Sequence, residues 1–174
     1  MRALNLSRNY AAHAIVAFLV SPASVIFRAG LLCGVMDITA AFVTWAPRGV
    51  TPARILRGIA SGLLGPSALQ GGWPMAALGL ALHFFIAFSA ASVFYFASRH
   101  LAFMTQRPVL TGLLYGVAVY TFMYWVVQPL SLLRRGPFNL FNTVVAIVTH
   151  LICVGLPISL VVHRYSGSKK LAAD

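Results

Sequence analysis

Asp37, His83 and His150 are the side chains of this sequence best suited to hold or move a proton, and all three fall inside long apolar stretches. Asp37 is the only acidic residue before the C-terminal Asp174, in a chain that carries 13 Lys and Arg. An ionisable group kept in an apolar stretch is costly, so such residues mark ion paths, proton relays or ligand counter-ions. A carboxyl beside two imidazoles can exchange protons near neutral pH, which is the basis of a proton-linked relay. The same groups can instead form a structural polar knot, with Asp37 bonded to His83, to a hydroxyl such as that of Tyr120, or to Thr39. The sequence alone favours the knot.

Two histidines on facing helices also invite haem, since imidazoles can supply both axial ligands. Asp37, His83 and His150 likewise have ligand types suited to zinc or iron. No short ligand spacing supports a metal, and His100 and His163 stand beside Arg99 and Arg164 at the ends of apolar stretches, where they read as interfacial. No cofactor or metal is therefore expected. The chain has no Gly-x-Ser-x-Gly and no His-Glu-x-x-His, the motifs of common hydrolases and metalloproteases, so a non-enzymatic role is expected. Cys33 and Cys153 read as unpaired thiols that fill space within the apolar stretches.

The elements that must position these groups are membrane helices. The composition is 60% hydrophobic and only 9% charged, whereas soluble domains carry about a quarter charged residues. Crossing the hydrocarbon takes roughly 20 residues, and suitable stretches run over Arg28–Ala46, Met75–Ala97, Pro108–Val127 and Thr143–Val162. The expected fold is all-α: a single polytopic membrane domain over residues 1–174, built as a four-transmembrane-helix bundle from hairpins at 28–97 and 108–163. Residues 1–27 are read as an interfacial segment rather than a cleaved signal or a fifth span. Ser21-Pro22-Ala23-Ser24 is a poor cleavage site, and His13 and Pro22 interrupt the apolar run.

The net charge of +11 gathers at the ends of the stretches, where it meets anionic lipid head groups; nucleic acid is not an expected partner. Arg2, Arg8, Arg28, Arg99, Arg107, Arg164, Lys169 and Lys170 fall on one side, and Arg48, Arg54, Arg57, Arg134 and Arg135 on the other. The larger group lies with the chain ends, which places both termini in the cytoplasm.

Two phrases recur. Gly30-Leu-Leu-Cys-Gly34-Val35 matches Gly112-Leu-Leu-Tyr-Gly116-Val117, and Gly79-Leu-Ala-Leu-His83 loosely matches Ala146-Ile-Val-Thr-His150. They suggest an internal duplication of a helical hairpin. Each glycine pair lies on one helix face and lets another backbone approach closely, and Asp37 continues the face of Gly30 and Gly34 toward protein. Between the first two stretches, Thr51-Pro52 is a helix-start signal. The amphipathic loop helix expected near 52–65 carries Arg54 and Arg57. A re-entrant helix would make Arg57 a counter-ion for Asp37, while the plainer reading sets both arginines on lipid phosphate.

Gly30-Leu-Leu-Cys-Gly-Val-Met-Asp37, Arg57-Gly-Ile-Ala-Ser-Gly-Leu-Leu-Gly65 and His83-Phe84 resemble a broad group of uncharacterised bacterial inner-membrane proteins. Gly112-Leu-Leu-Tyr-Gly116, Gln128-Pro129-Leu130 and Thr149-His150-Leu151 are similar to YagU-like proteins over about Leu78 to His163. The chain departs from that pattern at Thr149 and in its N-terminal half. The resemblance implies four helices in a bacterial inner membrane and no particular chemistry. The expected role is an accessory or scaffold-like subunit that packs against a membrane protein partner or a second copy of itself. The alternative is a small proton-linked transporter using Asp37, His83 and His150.

Overall fold

The structure is a computed structural model that describes residues 21–133 and 136–171, with side chains as far as Ser166. Among the described residues every regular element is helical. Four helices are long and apolar enough to cross a membrane: span 1 (Pro22–Arg48), span 2 (Gly72–His100), span 3 (Pro108–Leu130) and span 4 (Leu140–Ser166). A loop helix, Pro52–Leu64, lies between spans 1 and 2, and a short helix, Phe103–Gln106, joins spans 2 and 3. Spans 1 and 3 therefore run from the end where span 1 starts and span 4 finishes, the terminal end, to the opposite, loop end; spans 2 and 4 run back.

Caps set the helix starts. The Ser21 hydroxyl accepts from the Ser24 amide at 3.3 Å, and Pro22 follows in the first turn, where its missing N–H breaks no bond. Span 1 thus begins at Pro22 rather than Arg28. The remainder of the N-terminal reading, residues 1–20, lies outside the described residues. Thr51 caps the loop helix through the Arg54 amide at 3.3 Å. Asn139 accepts from the Asn142 amide at 2.9 Å, so span 4 starts at Leu140 and not Thr143.

Spans 3 and 4 each contain one widened turn. Over Met123–Val127 and His150–Gly155 the backbone bonds reach back five residues, from the Gln128 amide to the Met123 carbonyl and from the Leu156 amide to the Leu151 carbonyl. Each turn leads into a proline, Pro129 or Pro157. Proline offers no amide to the helix and crowds the carbonyl four residues before it; a π-type turn upstream absorbs the mismatch without a break.

Small residues decide how closely the spans approach. A Cβ at Gly30 would overlap the Phe88 ring, and one at Gly34 would meet the Phe84 ring at 2.7 Å, so span 1 seats span 2 by two phenyl rings. Spans 3 and 4 meet backbone to backbone. A Cβ at Gly116 would lie 2.6 Å from the His150 carbonyl oxygen, one at Gly112 would lie 3.0 Å from that of Gly155, and one at Gly155 would overlap the backbone of Gly112 and Gly116. The loop helix presses its Leu56 backbone against Gly79 of span 2. It is also bonded to the loop after span 3 through the Leu132 amide and the Gly62 carbonyl at 2.9 Å.

The apolar core sits at the terminal end, where Val25, Ala29, Phe94, Met104, Ile158 and Val162 form one buried cluster. A polar clasp runs through it. The Ser159 hydroxyl, fully buried, donates to the Pro108 carbonyl at 2.7 Å. Thr111 donates to the Met104 carbonyl at 2.8 Å, and Tyr115 to the Ala90 carbonyl at 2.7 Å. In a lipid-solvated chain such hydroxyls need protein acceptors, because the hydrocarbon offers none.

The two kinds of glycine separate by substitution. Gly116→Leu forces spans 3 and 4 apart and is expected to destabilise by at least the ~1–3 kcal/mol of ordinary overpacking. Gly58→Ala, where no heavy atom lies within 4 Å of the added methyl, is expected to be neutral or to stabilise by up to ~1 kcal/mol. Denaturant unfolding in detergent micelles measures both.

Candidate functional site

Asp37 follows the Gly34 contact by less than one helical turn, and His83 precedes Phe84 on span 2, so the glycine-to-phenyl contact brings the two side chains together. His83 Nδ1 lies 4.0 Å from Asp37 Oδ2, with the side chains 12% and 25% exposed. His83 Nε2 lies 2.8 Å from the Gly34 carbonyl oxygen. A carbonyl only accepts, so Nε2 carries the hydrogen and Nδ1 is the nitrogen that faces Asp37. With neutral imidazole and ionised carboxylate, two lone pairs would oppose each other. The pair becomes complementary when it holds one further proton, on Nδ1 or on the carboxyl, or, with no further proton, when a water donates to both. The 4.0 Å separation exceeds a direct hydrogen bond and suits one bridged by water.

His150 follows the same logic with its nitrogens exchanged. Its Nδ1 lies 2.8 Å from the Ala146 carbonyl of its own helix, so Nδ1 carries the hydrogen and Nε2 is left to accept. The Tyr120 ring meets the His150 ring edge-on at 5.6 Å and stacks on Tyr124 at 5.9 Å. Tyr120 thus contacts His150, and Thr39 is exposed; among the described residues neither hydroxyl bonds to Asp37.

Asp37, His83 and His150 line one cavity of about 220 Å³, together with Cys33, Ile59, Met123 and Gln128. Asp37 and His150 also line a neighbouring cavity of about 190 Å³ with Thr44, Trp45, Asn142 and Thr149. Trp45, Asn142 and Ala146 carry the lining on into a third of about 390 Å³, bounded by Asn139 and Tyr124. Polar and aromatic groups thus follow one another from the loop end inward to Asp37. Gln128, Thr44 and Thr149 are lining residues that the sequence did not mark as part of a site. One signal was present: Asn142, Ala146, Thr149 and His150 follow the i, i+4, i+7, i+8 spacing of a single helix face.

Arg57, the candidate counter-ion, does not pair with Asp37. Its Nε donates to the Ala53 carbonyl of its own helix at 3.3 Å, and the ion pair of Asp37 is with His83. The loop helix turns Ile59 to the cavity, and two residues along a helix amount to a rotation of about 200°, which carries Arg57 away. Gly30 and Gly34 are filled by Phe88 and Phe84, and Gly112 and Gly116 by the backbone of span 4. Among the described residues no three His, Cys, Asp or Glu side chains converge as metal ligands. Cys33 and Cys153 are free thiols.

Comparison of the chain with protein-family models, with curated proteins and with solved structures finds no match.

The two imidazoles are expected to hold opposite neutral tautomers, Nε2–H at His83 and Nδ1–H at His150. Nitrogen-15 spectra of histidine-labelled protein, assigned with His83→Gln and His150→Gln, distinguish them; the same tautomer at both sites would contradict the geometry.

Proposed function

We propose that this chain is a non-enzymatic, proton-linked transport protein, a four-helix bundle of the bacterial inner membrane. Asp37 and His83 share the coupling proton, and His150 supplies a second acceptor on the same cavity. One observation carries this reading. Asp37 is not closed in by direct hydrogen bonds, but faces His83 across 4.0 Å and lines two cavities. A structural knot is stable when its buried polar atoms are directly bonded; an exchange site needs room beside its carboxyl for water or a ligand.

The packing supports the same reading. The terminal end is closed by the apolar cluster around Phe94 and Ile158, while the cavities lie toward the loop end, the asymmetry of a carrier with access from one side. The accessory-subunit reading relies on glycine faces offered to a partner or a second copy, and those faces are occupied by Phe84, Phe88 and Gly155 of the same chain. Both glycine pairs seat the span that follows, which supports a duplicated hairpin with its axis along the membrane normal. With the termini in the cytoplasm, as the arginine and lysine distribution favours, the cavities face outward. The likeness to YagU-like proteins supports the bacterial inner membrane.

The test uses proteoliposomes that enclose a pH dye, an imposed proton gradient, and a panel of small organic cations, anions and neutral solutes. A substrate is expected to collapse the gradient, and Asp37→Asn, which preserves the shape of the side chain, to reduce that rate to the vesicle background without altering the gel-filtration profile. Equal rates for wild type and Asp37→Asn, or a gradient that no solute disturbs, would remove the proton-linked reading.

A further inference from the structure

The inner cavity does not end at its polar wall. Ile59, Ile86, Met123 and Gln128 line both it and a lateral groove of about 580 Å³ between the loop helix, span 2 and span 3. The groove is walled by apolar side chains such as Leu63, Leu82 and Phe122, and Gly58 and Gly62 leave its loop-helix wall low. At Gly58 nothing lies within 4 Å of where a Cβ would stand. The groove and the cavity together have the size and largely apolar lining of sites for drug-sized molecules, about 300–1,000 Å³.

Charge decides which molecule fits. At the inner end Asp37 is the only acidic residue among those described. The other titratable groups on that wall are Cys33, His83 and His150, each able to stay neutral. The loop-end approach is guarded by the opposite sign. Arg48 lies over the Trp45 ring at 4.7 Å, and Trp45 lines the cavities that lead inward from that end. A hydrophilic cation arriving from water meets the guanidinium, whereas a hydrophobic one dissolved in the membrane meets a groove whose lining is apolar apart from the uncharged Gln128 and Ser131. A phospholipid acyl chain also suits the groove, but it would bring its phosphate toward a carboxylate, which repels it.

We propose that the groove admits a lipophilic organic cation from the membrane and seats its charge against Asp37, in exchange for the proton that Asp37 and His83 share. This rests on the proton-linked reading and names its substrate class. The exchange balances. The cation enters, one proton leaves, from the Asp37 carboxyl or from His83 Nδ1, and the deprotonated pair together with the bound cation keeps the total charge that the protonated pair had.

The probe is tetraphenylphosphonium, whose permanent charge means that any proton released comes from the protein. With the full chain in lipid nanodiscs in weak buffer, calorimetry is expected to show saturable binding, and a pH dye about one proton released per cation at saturation. Asp37→Asn is expected to lose the proton release and to weaken binding by about tenfold or more, the scale of one lost charge contact. Gly58→Phe, which fills the groove, is expected to weaken binding while leaving the nitrogen-15 signals of His83 and His150 unchanged, which shows the inner site intact. Tetraphenylborate, of the same shape and opposite charge, is expected not to saturate. Absence of saturable phosphonium binding, binding indifferent to both substitutions, or equal binding of the borate would overturn the cation assignment. If solutes other than cations collapse the vesicle gradient in an Asp37-dependent way, only this assignment falls; if Asp37→Asn changes nothing in either experiment, the proton-linked reading falls with it.

Discussion

One carboxylate in a lipid-solvated chain is the constraint to which the rest of the structure answers. Hydrocarbon offers Asp37 no partner, so the protein must supply one, and it supplies His83. The imidazole is held by the Gly34 carbonyl at 2.8 Å, an oxygen with lone-pair capacity beyond its own helix bond. Gly34 therefore acts twice. Its missing side chain lets the Phe84 ring, and with it span 2, come close, and its carbonyl then fixes which nitrogen of His83 faces the carboxyl. The tautomer of His83, its placement beside Asp37 and the approach of two helices all depend on one residue without a Cβ.

The opposite wall of the cavity is set by proline. Pro157 would cost an unrelieved helix interior about 3 kcal/mol, and the widened turn at His150–Gly155 relieves it. That turn carries both His150 and the glycine that meets Gly112 and Gly116. The widened turn before Pro129 likewise carries Met123, which lines the cavity. Helix irregularity and cavity thus coincide on two spans. A regular helix over 150–155 would rotate His150 relative to the close contact beyond it, and the packing of spans 3 and 4 would no longer fix the imidazole.

Much of this was legible in the residues, and the limits have physical causes. Apolar length alone located all four spans, because lipid solvation leaves no alternative for runs of that composition. The Thr51-Pro52 start was legible because a cap and its proline are adjacent. Helical spacing placed Asp37 on the glycine face, the face that meets span 2 and brings it to His83. The start at Leu140 was hidden, since it rests on one hydrogen bond that hydropathy does not register, whereas Ser21-Pro22 carries the same cap-and-proline signal as Thr51-Pro52 and is obscured only by reading Pro22 as a break in an interfacial segment. Spacing also gives a face without giving the roll of the helix, so Arg57 was open to the cavity in the sequence and is turned away from it in the structure. The clasp of Thr111, Tyr115 and Ser159 joins residues far apart in the chain through main-chain carbonyls, which any sequence supplies everywhere and therefore marks nowhere.

The interfaces differ in a way that bears on how such a site can work. Spans 3 and 4 meet through glycine backbones, contacts with no side-chain freedom to absorb displacement, and through the Ser159 hydroxyl bonded to the Pro108 carbonyl at 2.7 Å. Spans 1 and 2 meet through phenyl rings, which can change rotamer while staying in contact. Polar contacts join the two hairpins at both ends. Toward the loop end the Leu132 amide donates to the Gly62 carbonyl at 2.9 Å; toward the terminal end Arg28 lies over the Tyr165 ring, and Tyr115 donates to the Ala90 carbonyl at 2.7 Å at the margin of the apolar cluster, where the Phe94 ring meets Tyr115 at 4.9 Å. Asp37 and His83 belong to the first hairpin and His150 to the second, so the cavity that all three line is built across the interface between the hairpins and exists only while they stay packed together.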